Sequence, residues 1–120
     1  MKISDIKDML AETGVPATYL QWNEPEVPPL PYICWQLPSS ENFAADNKVY
    51  QQVEQLVIEL YTEARDFALE KIITDVLDSY ELVWDRDSTW IDSEAMNETT
   101  FTADVLIEPE ATQEDNTNGE

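Results

Sequence analysis

The chain has 120 residues, one domain's worth, able to bury a little under ~70% of its unfolded surface. Hydrophobic residues make up 42% and aromatics 10%, which excludes wholesale disorder. With 26 acidic residues, 6 basic ones and no histidine the formal charge is −20, and that field excludes a basic nucleic-acid-wrapping face and binding to an anionic membrane.

The N-terminus, Met1-Lys2-Ile3-Ser4-Asp5, lacks the apolar core of a signal peptide, and no apolar run approaches the ~18 residues of a membrane span. A short first helix is predicted. Ser4 suits its cap, Asp5 and Asp8 suit its positive end, and Gly14 suits its close. Ile3, Ile6, Met9 and Leu10 share one face, to be packed on a sheet or offered to a partner. Residues 15–31 read as irregular, because Pro16, Pro25, Pro28, Pro29 and Pro31 interrupt helix and ladder alike. Tyr19, Leu20 and Trp22 are expected to pin this segment to the body or to a neighbouring subunit.

Tyr32 to Leu37 is a predicted strand ended by Pro38-Ser39-Ser40, followed by a polar loop over 38–47 with one apolar anchor, Phe43. Val49 to Tyr61 is the strongest strand. Leu56, Ile58 and Leu60 lie on one face and Val53, Val57 and Tyr61 on the other, predicting a central strand covered on both sides in its second half. Its polar beginning, Tyr50 to Glu54, is expected to extend past the core as an arm or hairpin.

A second helix is predicted over about 63–80. Leu69, Ile72, Ile73, Val76, Leu77 and Tyr80 recur at intervals of three and four, and Asp66, Glu70, Asp75 and Asp78 stand opposite. Leu82-Val83-Trp84 reads as a short strand, 85–95 as a charged loop holding Trp90 and Ile91, and 97–107 as a last strand. There Phe101, Ala103, Val105 and Ile107 alternate with polar residues, giving one buried and one wet face. The expected fold class is α+β: a single mainly antiparallel sheet flanked by two helices, over residues 1–108. Residues 109–120, with four acids and no large apolar side chain, read as a flexible tail that orders only against a partner; without it the body carries −16.

Chemistry is scarce. Cys34, the single cysteine, sits in an apolar run and reads as a buried, inert thiol. Without histidine there is no serine–histidine or cysteine–histidine pair and hardly any zinc site. Asp85 to Glu98 has the acids of a calcium loop but no glycine for its turn. Neither a glycine-rich phosphate loop nor a serine elbow is present. No catalytic residue, metal site or cofactor is predicted, and an enzyme is the weakest reading.

Trp35 and Trp84 lie in predicted strands and read as core. Trp22 and Trp90 lie in predicted loops, where they are local anchors or subunit contacts. Between Asp75 and Glu98 there are eight acids and one base, Arg86. That crowding serves solubility or a salt-rich environment, imitates DNA phosphates, or lines a passage along which DNA slides without sticking.

A pattern of short pieces resembles a known family. The pieces are Gly14-Val15-Pro16 with Tyr19, Pro31-Tyr32-Ile33, Asn42-Phe43-Ala44-Ala45-Asp46-Asn47 with Val49-Tyr50, Ile58-Glu59-Leu60-Tyr61-Thr62, and Trp90-Ile91-Asp92-Ser93-Glu94 with Met96. Their order and spacing over about 13–107 is similar to that of tail terminator or tail completion proteins. These belong to the head–tail joining region of long-tailed bacteriophages and prophages of Gram-positive hosts. The long acidic tail and the very acidic body depart from the pattern. The resemblance implies a homo-oligomeric ring, usually a hexamer, on the head-proximal end of the tail tube. Such a ring stops tube polymerisation and joins the head's neck proteins. It implies a virion location in tail or neck, host cytoplasm during assembly, and tail tube protein and connector proteins as partners. Genomic DNA would pass through without specific binding.

On that reading Trp22, Phe43, Tyr50 and Trp90 are candidate contacts between subunits or with the tube, together with the sheet edges and the 38–54 arm. Asp85, Asp87, Asp92 and Glu94 are a candidate DNA-repelling surface. Another neck protein, such as a head completion protein or connector adaptor, and a small acidic DNA-mimic inhibitor remain alternatives.

Overall fold

A computed structural model describes residues 1–45 and 48–108, with side chains described outside 41–51. In chain order the elements are α1 (Ile3–Ala11), β1 (Ala17–Tyr19), β2 (Tyr32–Ala45), β3 (Lys48–Thr62), α2 (Phe67–Ser79), β4 (Trp84–Ile91), a 3-10 turn (Asp92–Glu94) and β5 (Met96–Ile107). The strands form one sheet in the order β1-β2-β3-β5-β4. β1 pairs with β2 in parallel, and the other three pairings are antiparallel. The class is therefore α+β, a mainly antiparallel sheet with two helices.

Both helices lie on one face of the sheet, and the core forms between them. Ile6, Met9 and Leu10 of α1 and Ile73 and Leu77 of α2 meet Ile33 and Trp35 of β2, Leu56, Ile58 and Leu60 of β3, and Phe101 and Val105 of β5. Each is almost fully buried, and each large aliphatic side chain so placed contributes roughly 1.5–3 kcal/mol. The apolar stripe expected on α1 is thus a packing face. The two helices are also tied at the surface, where the Tyr80 hydroxyl donates to Glu12 Oε2 at 2.5 Å and is pushed up to about 12 by that bond.

The ends of the helices depart from expectation. The Asp5 carboxylate, not Ser4, caps α1, accepting the Lys2 backbone N–H at 2.7 Å; Ser4 lies inside the first turn. Gly14 closes the turn as expected, at φ 78°, its N–H on Ala11 O. α2 begins at Phe67 under an Asp66 cap that accepts the Leu69 N–H at 3.0 Å. It ends with Glu81 at φ 61°, Glu81 N–H on Asp78 O and Leu82 N–H on Leu77 O, the paired bonds of a left-handed C-terminal cap. Ile72 is exposed rather than part of the buried stripe, and Glu70, expected on the solvent face, is buried.

Three strand expectations change. β2 does not stop at Pro38: a register shift between Gln36 and Ser39 takes the proline into a bulge, and pairing with β3 continues to Ala45 opposite Lys48. The anticipated arm is this hairpin, whose tip runs past Ile107, the last residue of β5 to pair with β3. Residues 85–91, expected in a charged loop, form the edge strand β4; Asp-Arg-Asp hides the alternation because its outward positions face water. Val53, Val57 and Tyr61 on the second face of β3 are only half-buried, because both helices lie on the other face. The alternation of β5 is as expected. The expectation of a flexible tail over 109–120 lies outside the described residues.

Candidate assembly surfaces

Strand alternation gives the sheet a second face that carries no helix. Registers Cys34–Glu59, Glu59–Thr100, Thr102–Asp85 and Thr100–Asp87 place these residues on it. Glu59, Asp85, Asp87, Glu98 and Asp104 bring carboxylates to this face. Arg86 pairs in register with buried Phe101 and so projects to the helix side. Over strand residues 52–107 the helix-free face therefore carries acids and no base.

One end of that face is covered by residues 20–31. Trp22 stands edge-on to Tyr32 at 6.4 Å, and Tyr32 packs on Tyr61 at 5.3 Å. Leu20, Trp22, Tyr32, Cys34, Tyr61 and Glu94 line a cleft of about 390 Å³ there. Cys34 is buried as expected, and burial, then Glu59, pushes its thiol up. The Tyr61 hydroxyl sits between two carboxylates, 3.0 Å from Glu98 Oε2 and 3.2 Å from Glu59 Oε1. It has one proton to donate, so one carboxylate is left without it. Burial and then Glu98 raise Glu59 above the ordinary carboxylate range; burial and the two carboxylates raise Tyr61 far above the phenol range.

The candidate residues fall in separate places. Trp22 is half-buried over Tyr32, and its indole N–H is buried without an acceptor among the described residues. Trp90 is 52% exposed on β4, its indole N–H on Asp92 Oδ1 at 3.3 Å. It pairs with buried Asn97 and projects to the face opposite Trp22. Phe43 and Tyr50 belong to the hairpin strands, and their side chains lie outside the described ones. Asp85 and Asp87 share the helix-free face of β4, whereas Asp92 and Glu94 stand on the 3-10 turn, Glu94 at the Trp22 cleft. All four are exposed.

A polar centre absent from the expectations lies under α2. Glu70 is 1% exposed and accepts from Arg65 Nε at 2.6 Å and Nη2 at 3.1 Å. Arg86 Nη1 stands 3.3 Å from its other side, and Thr99 Oγ1 donates at 3.2 Å. Asn97 and Ser88 extend the chain through Thr99. The signal was present: Glu70 precedes Leu77 by seven residues, nearly two full turns, and shares its face. With every carboxylate oxygen partnered, this centre locks α2 to β4 and β5 and offers no reactive group.

Among the described residues no three His, Cys, Asp or Glu side chains converge to hold a metal ion, and no helix is long and apolar enough to cross a membrane.

No protein-family model matches the chain, and none of the curated proteins does. Among solved structures the chain is similar to one in the virion of a native gene transfer agent particle. The TM-score is 0.53 and the identity 17%, over 82% of this chain and 84% of that one. At that identity the likeness is one of fold.

Proposed function

We propose that this chain is a structural virion protein rather than an enzyme: a tail terminator that forms a ring at the head-proximal end of a phage-like tail tube. The observation that carries the reading is the shared fold with a chain of a gene transfer agent virion, extending over more than four-fifths of both. The order of short motifs over 13–107 supports the finer assignment.

The physical logic is geometric. Copies joined head to tail about a rotation axis close when the rotation closes, and a ring that binds the last tube ring with one face ends growth. Six copies, as the resemblance implies, would surround a channel. The helix-free acidic face, with Asp85 and Asp87, supplies a wall that repels the DNA backbone. The hairpin tip and Trp90 are the groups offered to neighbouring subunits and tube protein, and Trp22 a further contact. The reading treats residues 1–108 as the ring body and 109–120 as an acidic extension.

The test is electron microscopy of particles from a deletion mutant. Abnormally long tails unattached to heads are the expected result. Normal-length tails without heads would reassign the chain to the connector, and intact particles would overturn a role in the virion.

A further inference from the structure

Two surfaces at opposite ends of the sheet complement each other. The first lies at the β1 edge. Ile3 and Lys7 of α1, Tyr19 of β1, and Trp35 and Leu37 of β2 line an apolar cleft of about 370 Å³. Tyr19 is half-exposed and stands edge-on to Trp35 at 4.9 Å. Lys7 supplies the cleft's one charge. It is exposed and forms no ion pair among the described residues, whereas Arg65, Lys71 and Arg86 each have a carboxylate partner.

The second surface lies at the β4 edge. Val83 is 89% exposed, more than any other large apolar side chain described. It is held firmly. Leu82 N–H is bonded to Leu77 O on one side, and on the other the Trp84 indole is bonded to Asp78 at 2.9 Å. Asp85 follows two residues later, exposed inside β4. An apolar knob beside a carboxylate thus stands at one edge, and an apolar cleft beside an unpaired ammonium at the other.

We propose that a second copy of this chain seats its Val83 in that cleft and sets Asp85, at the β4 margin of the acidic face, against Lys7, which leaves Asp87 and the remaining acids of that face to the channel wall. This rests on the ring reading and names its contact. Because β1 and β4 bound opposite edges of one sheet, the contact uses two different surfaces and leaves each copy one of each. Such a heterologous contact propagates until rotation closes it, whereas a self-complementary patch would stop at a dimer. On a chain of −20, a lysine without an internal partner beside an apolar cleft selects an acidic, apolar-tipped occupant over a basic one.

The experiment is native mass spectrometry with sedimentation on the full chain. Wild type is compared with Val83→Asp, Lys7→Glu, Asp85→Lys, and an equal mixture of the last two. Wild type is expected to form a ring, and each single variant to assemble about ten-fold or more weakly. The mixture regains assembly, since each reversed charge meets another reversed charge. Circular dichroism of the unassembled chain stays unchanged, because all three side chains are exposed. A ring that survives all three substitutions overturns this contact and leaves the ring reading intact. So does a species that stops at a dimer in wild type and variants alike, which overturns the ring as well. A wild type that remains monomeric with and without tube protein overturns both.

Discussion

The Thr99 hydroxyl on β5 donates to Glu70 Oε2 on α2 across 3.2 Å, and both side chains are shut off from solvent. The same carboxylate takes Arg65 from the loop before α2 and Arg86 from β4. One side chain therefore fixes the start of α2 against two strands. Glu70→Ala is predicted to destabilise the chain by about 2–4 kcal/mol, because it leaves a buried donor unpaired and two guanidinium groups uncompensated. Glu70→Gln keeps the shape and costs less. Urea unfolding midpoints at constant slope check both; an alanine variant within ~0.5 kcal/mol of wild type would show the network to be inert.

Glu81 holds a left-handed conformation, φ 61°, at the C-terminal cap of α2, where glycine is the usual residue. Its Cβ crowds the following carbonyl there, a cost of roughly 1–2 kcal/mol that glycine does not carry. Part of that gain is offset by the freedom glycine adds to the unfolded chain. Glu81→Gly is therefore predicted to stabilise by about 0.5–1 kcal/mol, read as a higher urea midpoint. A lower midpoint would mean that the Glu81 side chain makes a contact worth more than the strain.

Glu59 and Glu98 flank one hydroxyl, Tyr61, and only one of them takes its proton. Glu59 is raised by burial and by Glu98, so its pKa in the folded state lies above the ordinary value of 4.5. The sign follows from linkage: the folded state binds this proton more tightly than the unfolded one, so the ionised group opposes folding. That opposition is absent below about 4.5 and grows as pH rises through the folded pKa. Glu59→Gln, which still accepts the Tyr61 hydroxyl, is predicted to melt above wild type at about pH 8 and to converge with it near pH 4.5. Melts of the two proteins across that range check it. The groups facing Glu59 are Tyr61 on its own strand, Cys34 on β2 and Glu98 on β5, so Glu98→Gln is the matching control.

What the sequence made legible follows the strength of each physical signal. Leu69, Ile73, Val76 and Leu77 announce α2, and Phe101 to Ile107 announce β5, because burial on one side imposes a period. The outer positions of β4, Asp85 and Asp87, face water and its inward Arg86 is charged, so the three read as a loop although every residue from Trp84 to Ile91 sits on the ladder. Pro38 reads as a terminator, yet a bulge absorbs it on β2 beyond the reach of β1. β1 itself is three residues long, too short for any period. Glu70 reads as a surface residue because a charged side chain usually faces water, although its phase matches that of buried Leu77. The acidic character of the surface was plain from composition; its division between an acid-only sheet face and a helix side that takes Arg86 depends on strand register, which composition does not contain.

The hairpin tip provides the last prediction. Phe43 pairs with Gln51 and Ala45 with Lys48 past Ile107, the last residue of β5 to pair with β3. A two-stranded ribbon with no third strand beside it is marginal in water, so this one gains from whatever packs beside it. Joining Asn42 to Gln52, partners in register, through an Asn-Gly turn removes the tip and keeps every β3 partner of β5 in place. The shortened monomer is predicted to melt within a few degrees of a wild-type monomer. If the tip reaches a neighbouring subunit or the tube, the shortened chain forms rings poorly or leaves tails unterminated, read by sedimentation and electron microscopy. A shortened chain that assembles and terminates tails like wild type would remove the hairpin from the contact.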